Sequence, residues 1–302
     1  MITDPMPSPT VICIGAMLWD IIGHSPQPHR PGADVEGRIV QTPGGVAFNI
    51  ALALARRGLR PAMLSAVARD RQGEALTAEA TRRGIDTAHL LRDGIAATDL
   101  YLAIEDSDGL VAAIAATHAL QGAGARILTP LTDGRLASAL QPWAGPVVID
   151  GNLAEDVLAQ IATSPAFTQA DLRIVAVSPS KATRLRPLLA MPRATFYLNR
   201  AEAAAIAGRD CPCAASAAEA VAALGAYRVL VTDGAAAMAD ARHGRDTLTC
   251  PATPVAIRRV TGAGDNFVAA HLVAELAGAD RATALARASK AASDHVSGKD
   301  PI

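Results

Sequence analysis

Aromatic residues are scarce in this 302-residue chain, at 3% against a hydrophobic share of 50%. A core of the size this length allows must therefore be built from Ala, Val, Leu and Ile. Charge of one sign is lacking as well. The formal net charge is −1 and the basic residues, nearly all Arg, are scattered, which argues against nucleic acid or a membrane surface as partner. No uninterrupted apolar run approaches bilayer length. The opening "MITDPMPSPT" has an acid and three prolines but no basic region, unlike a secretory signal. Cysteine is sparse too: Cys13, Cys211, Cys213 and Cys250 lack the paired spacing of a metal site or disulfide framework. They read as free thiols of a reducing cytoplasm. The seven histidines are dispersed without HExxH-type spacing, so catalytic zinc is not expected.

What is present is an alternation. "TVICIGAML" (10–18) reads as a buried parallel strand, followed by a Pro- and Gly-rich stretch containing the strand-like "GRIVQT". Ala47, Ile50, Ala51 and Leu54 then fall at i, i+3, i+4, i+7 of a helix closed by Gly58. "AMLSAVARD" and "QGEALTAEATRRGI" give a second strand and helix. "DLYLAIED" and "LVAAIA" flank Ser107-Asp108-Gly109, a hairpin signal that interrupts the rhythm and predicts a small separate sheet. Afterwards strand–helix units resume through "GPVVIDGN", "RIVAVSPS", "ATFYLNRAEAAAIAG" and "RVLVTDG". The expected fold is one α/β domain over 1–302, a parallel sheet covered by helices on both faces.

Four stretches carry residues suited to chemistry. In "VTGAGDNF" a Gly-rich turn opens a helix, so main-chain N–H groups and the helix start favour an anion, with Asp265 in the first turn. Asp265 is then either a base beside a phosphate or an ordinary N-terminal helix acid. "NRAE" sets Asn199 and Glu202 three apart at a helix start, where the acid suits hydrated Mg²⁺ better than a base, or both are simply solvated. "VTDG" places Thr232 and Gly234 at the carboxyl edge of a strand, where α/β sheets bind ligands, or forms a plain turn. Gly44-Gly45 with Asn49 one turn later permits a close backbone approach, or a tight turn. "CIGAMLWD" offers one glycine where a dinucleotide fingerprint needs three, which argues against a dehydrogenase.

Gly-Gly-x-Ala-x-Asn-x-Ala, Asn-x-x-Glu and Thr-Gly-Ala-Gly-Asp, in that order over about residues 10–297, resemble the ribokinase-like (PfkB) carbohydrate and nucleoside kinases. "TPGGVAFNIA", "TDLYLAIEDSDGLVAAIA", "VVIDGNLAED", "VSPSKATRL" and "RVTGAGD" are most similar to the pseudouridine kinases of that family. The resemblance implies a three-layer α/β/α core with a small β-sheet lid from residues of about 20–42 and 98–116. It implies transfer of the ATP γ-phosphoryl group to a nucleoside 5′-hydroxyl, with Mg²⁺ held by Glu202 through water. Asp265 would be the base, and Gly262, Ala263 and Gly264 with Thr261 an anion hole. Asn199, Thr232, Thr261, Gly262, Gly264 and Gly234 would meet the nucleotide, and Ala288 to Ser293 the adenine. Asp20, Gly44, Gly45 and Asn49 would hold the ribose and Thr98 and Tyr101 the base, so a bulky residue at Gly45 is expected to raise KM without unfolding.

Two departures qualify this. Val260 replaces an Asp associated with a monovalent-cation site, and Ser178 replaces an Asp, with no role assigned. A homodimer in the cytoplasm is implied. Other acceptors (ribose, adenosine, another ribonucleoside, or a sugar phosphate met by Arg38) and a silent ligand-binding relative stay open.

Overall fold

In the computed structural model, which describes residues 8–30, 32 and 34–299, the first apolar run becomes strand β1 (Val11–Ile14). Ile12 and Ile14 enter one core and Val11 and Cys13 the other, so every side chain is buried. Burial on both faces explains a continuous apolar run where a half-exposed strand would alternate. Three residues later the chain has left this sheet. β2 (Leu18–His24) and β3 (Arg38–Gly44) pair antiparallel in a second, small sheet. The chain returns through α1 (Val46–Ala55), β4 (Pro61–Leu64) and α2 (Arg71–Arg82). The predicted hairpin, β5 (Leu100–Asp106) and β6 (Gly109–Ala116), then completes the small sheet in the order β3-β2-β5-β6.

The second half builds α3 (His118–Ala123), β7 (Pro146–Asp150), α4 (Glu155–Thr163), β8 (Asp171–Val175), α5 (Pro179–Ala182), β9 (Thr195–Asn199), α6 (Arg200–Ala207), α7 (Ala214–Ala222) and β10 (Arg228–Thr232). β11 (Met238–Arg242), β12 (Leu248–Cys250), α8 (Ala263–Leu276) and α9 (Arg281–Val296) follow. The large sheet runs β12-β11-β10-β9-β8-β7-β1-β4 and is parallel from β10 to β4. Helices α1, α2, α8 and α9 pack on one face and α3 to α7 on the other. The three-layer architecture is the expected one. Three strands differ: β11 and β12 extend the sheet antiparallel, and β2 begins at Leu18, within the run read as the first strand. Among the described residues no helix is long and apolar enough to cross a membrane.

The face under α8 holds charge. Glu275 accepts from both Arg173 of β8 and Arg228 of β10, while Arg228 also pairs with Asp240 of β11 at 2.7 Å. His271, one turn earlier, is wholly buried and hydrogen-bonds Tyr197 Oη at 2.9 Å. Burial holds its pKa down to about 3, so it is neutral. Glu275 thus compensates two guanidinium groups that β8 and β10 carry into the interior. Glu275→Ala should cost about 3 kcal/mol, the lower end for a broken buried pair because each Arg keeps a second carboxylate. Urea unfolding checks this; a loss below about 1 kcal/mol would contradict it.

Candidate active site

The carboxyl edge of β7 carries a carboxylate that organises its surroundings. Asp150 is fully buried, and its Oδ2 accepts N–H bonds from Ala16 and from Ala47, each at 2.9 Å. Its Oδ1 accepts from the Asn152 N–H at 2.9 Å. Ala47 lies in the first turn of α1, whose N-cap residue Gly45 has no side chain to offer, so Asp150 supplies the capping anion from across the fold. Phe48 N–H closes the clamp by donating to the Ala16 carbonyl at 3.2 Å. The turn after β1 and the start of α1 are therefore fixed to β7.

This clamp explains both glycines. Gly45 has φ +101°, and a Cβ there would collide with the Ala16 carbonyl oxygen. A Cβ on Gly44 would collide with the Asp20 carboxyl. The close approach that the Gly-Gly pair permits is thus made by the chain's own groups. Asp20, on β2, has its pKa pushed up to about 6 by burial. Tyr101 of β5 stands directly opposite it on the same face of the small sheet. Thr98 points elsewhere: its hydroxyl and N–H both bond Asp70, the N-cap of α2, at 2.6 and 2.8 Å. Arg38 pairs with His24, four residue pairs along from Asp20 and Thr42, about 13 Å at the rise of a strand.

Asp265 sits in the first turn of α8. Its pKa is pushed up to about 7, chiefly by burial, with the Asn49 side-chain hydrogen bond pulling it down and the charges of Asp150 and Asp20 raising it further. α1 and α8 thus bring Asn49 and Asp265 into contact, and the base candidate is drawn close to neutral pH by desolvation and like charge. Beside it a cavity opens at the carboxyl ends of β8, β9 and β10, lined by Asn199, Glu202, Thr232, Gly264 and Asp265. Gly234 has φ +56° just beyond β10.

Asn199 and Glu202 form a reciprocal capping box: Glu202 N–H donates to Asn199 Oδ1 at 2.9 Å and Asn199 N–H to Glu202 Oε2 at 2.7 Å. Glu202 is buried while Asn199 stays exposed. Burial raises the pKa of Glu202, and its second oxygen is left for the cavity. Among the described residues no three His, Cys, Asp or Glu gather to hold a metal. A cation here would rest on one carboxylate, water and its own ligand's oxygens, the manner of Mg²⁺ rather than Zn²⁺.

The two glycines of the "TGAGD" turn differ. Gly262 has φ +86°, and a Cβ there would come within 3.0 Å of His295 Nε2. Gly264 meets nothing within 4 Å and takes no positive φ. Gly264 is the second residue of α8, and no contact in the fold requires glycine there. The space beside it faces the cavity. On α9, Ala288 and Ser289 are buried, and Ser289 Oγ and Ser293 Oγ reach the Pro251 and Thr253 carbonyls at 3.5 and 3.4 Å. Val260 is exposed. Ser178 contacts Ser180 at 3.0 Å. Asp150 and His295 were not singled out from the sequence; the only signal for Asp150 was an acid ending the buried run "PVVID".

The pfkB family carbohydrate kinase profile matches residues 8–301. The uncharacterized sugar kinase YeiI of Escherichia coli is 32% identical over 183 residues, 59% of this chain and 48% of that one. The pseudouridine kinase of the same organism is 29% identical over 209 residues, 66% of this chain and 61% of that one. The chain spans about half to three fifths of the length of these two relatives. A carbohydrate kinase from Agrobacterium tumefaciens superposes with a TM-score of 0.79 at 26% identity, over 96% of this chain and 93% of that one. Arabidopsis thaliana ribokinase complexed with ribose and ATP shares the fold, with a TM-score of 0.78 at 20% identity and the same coverage.

The clamp corrects one expectation. Gly45→Ala must disturb folding rather than KM alone, because the added methyl meets backbone at a positive φ. It should destabilise the protein by about 2 kcal/mol or more. Thermal unfolding checks it, and an unchanged Tm would contradict it.

Proposed function

The chain belongs to the pfkB family of carbohydrate kinases, and from that premise we propose that it transfers the ATP γ-phosphoryl group to the 5′-hydroxyl of a nucleoside, with pseudouridine the favoured acceptor. The observation that carries the reading is the juxtaposition of Asp265, its pKa pushed up to about 7 chiefly by burial, with a glycine at 264 whose open side lines the cavity. A base works best when its pKa lies near the working pH. Asp265 accepts the hydroxyl proton, and Asn49 orients its carboxylate. Main-chain N–H groups of Gly262, Gly264 and Asp265 receive the charge that develops on phosphoryl transfer, while the Ala263 N–H is held by the Val260 carbonyl at 3.1 Å.

The acceptor lies beside Asp20, Gly44, Gly45 and Asn49, with Tyr101 stacked over or bonded to its base and Thr98 supporting that wall through Asp70. Acids dominate this corner, and Arg38 is four residue pairs away, which favours an uncharged nucleoside over a sugar phosphate. The α1 N-terminus, an ordinary phosphate site, is already filled by Asp150. ATP occupies the cavity at Asn199 and Thr232, extending past Gly234, with Ala288 to Ser293 on the adenine side. Mg²⁺ sits on Glu202 through water and neutralises phosphate charge. The enzyme works in the cytoplasm, where ATP is at hand and its four free thiols stay reduced. A second copy covers the outer face of the small sheet, where Ile39, Leu102, Ile104 and Ile114 stand exposed together.

Replacing Asp265 by Asn should lower kcat by about 10²–10⁴. The sign of the linkage adds a second readout. A carboxyl whose pKa is raised by folding costs stability above that pKa, so the neutral amide should raise Tm at pH 8. ATP consumption against pseudouridine, uridine, adenosine, ribose and fructose 6-phosphate tests the acceptor; turnover of a plain sugar alone would overturn the nucleoside assignment. Full turnover by the Asn variant would overturn the base.

A further inference from the structure

We infer that His295, in the last turn of α9, is a positioning residue that holds the Thr261–Asp265 turn in the shape that receives the transferring phosphoryl group. The inference rests on the phosphoryl-transfer reading given above.

The His295 residue is 8% exposed, and both ring nitrogens are engaged. Nε2 lies 2.8 Å from the Thr261 carbonyl oxygen, and Nδ1 lies 2.9 Å from Asn266 Nδ2. A carbonyl only accepts and an amide nitrogen only donates, so the proton is on Nε2 and Nδ1 is the acceptor. The orientation of Asn266 is fixed separately. Its Oδ1 faces both terminal nitrogens of Arg57 at 3.3 Å, and its Nδ2 also reaches the Gly262 carbonyl at 3.2 Å.

The consequence follows from the planar trans peptide, whose C=O and N–H point in opposite directions. With the Thr261 carbonyl drawn onto His295, the Gly262 N–H is turned away from α9. The Gly264 and Asp265 N–H groups lie in the first turn of α8, where no earlier helical carbonyl serves them. The imidazole therefore sets the direction of the first donor of the anion hole. Close packing of His295 against the turn is also the reason, with φ, that residue 262 is glycine.

The segment entering the turn is held by the same end of α9. Arg258 and Arg259 N–H both donate to the Val296 carbonyl, at 2.9 and 3.2 Å, and Arg259 Nε donates to the His295 carbonyl at 3.1 Å. These bonds satisfy carbonyls that end a helix, and they place a cation at its negative pole. Through Asn266 and Arg57 the network continues to α1, the helix that carries Asn49.

The test uses the full-length protein and MgATP with whichever acceptor of the panel it turns over. His295→Ala should lower kcat by about 10–100-fold, below the loss of a whole oxyanion donor, with KM for either substrate changed less than about threefold. The amide of Gln can reach the Nε2 position and restore the bond to Thr261; the shorter amide of Asn reaches only the Nδ1 position. His295→Gln should recover most of kcat and His295→Asn none, at matched Tm. Amide hydrogen exchange of residues 260–266 should speed up in the Ala and Asn variants and stay slow in Gln. Equal kcat for the Gln and Asn variants, or a folded Ala variant with full kcat, would overturn the brace. If instead the unsubstituted protein transfers phosphate from MgATP to no acceptor of the panel, it is the phosphoryl-transfer reading that fails.

Discussion

Asp150 is the constraint around which the rest is arranged. One buried carboxylate oxygen receives two N–H bonds from segments 134 and 103 residues away in the chain. It joins the turn after β1, the first turn of α1 and the end of β7 at a single point. That junction decides where Gly45, Asn49 and Asp20 stand, and so where an acceptor can lie. Its charge also reaches Asp265 and helps hold that carboxyl above its ordinary range. A buried acid that caps a helix from a distance serves as structure and as electrostatics at once.

Around this junction the fold separates two kinds of ligand contact. The small sheet offers Asp20 and Tyr101 on one face, while the carboxyl edge of β8 to β10 offers Glu202, Asn199 and Thr232. Asp265 stands where the two meet. Phosphoryl transfer asks little covalent chemistry of a protein and much positioning, since the transition state is loose and its charge is spread over oxygens. Rigid supports suit that demand: a capping box at Glu202, a side-chain hydrogen bond from Asn49 to Asp265, and a helix end bonded to the entry of the anion turn.

Much of this was legible in the chain. The buried strands show as continuous runs such as "VICI" and "PVVID", and the hairpin as Asp108-Gly109, because each reflects a local preference. The start of β2 was hidden because only Gly15, Ala16 and Met17 separate it from β1, so Leu18 reads as the end of the first strand's run, while the lid is expected from about residue 20. β11 and β12 are antiparallel edges that no local pattern distinguishes from parallel strands. Asn-x-x-Glu is ambiguous in letters, since the same spacing makes a capping box and a cavity wall, and the fold uses it for both. The Gly-Gly pair told that something comes close but not what; Asp20 and Ala16 do. Asp150 and His295 act through partners distant in sequence, and no window of residues contains that information.

The account stands on Asp265 being a carboxyl group withdrawn from water next to two others. Carbonyl-¹³C NMR of aspartate-labelled protein, titrated from pH 4 to 9 and assigned by difference with an Asp265-substituted sample, reads that directly. The account predicts a resonance for residue 265 with its midpoint near 7. A midpoint near 4, the ordinary value for a solvated aspartate, would contradict it.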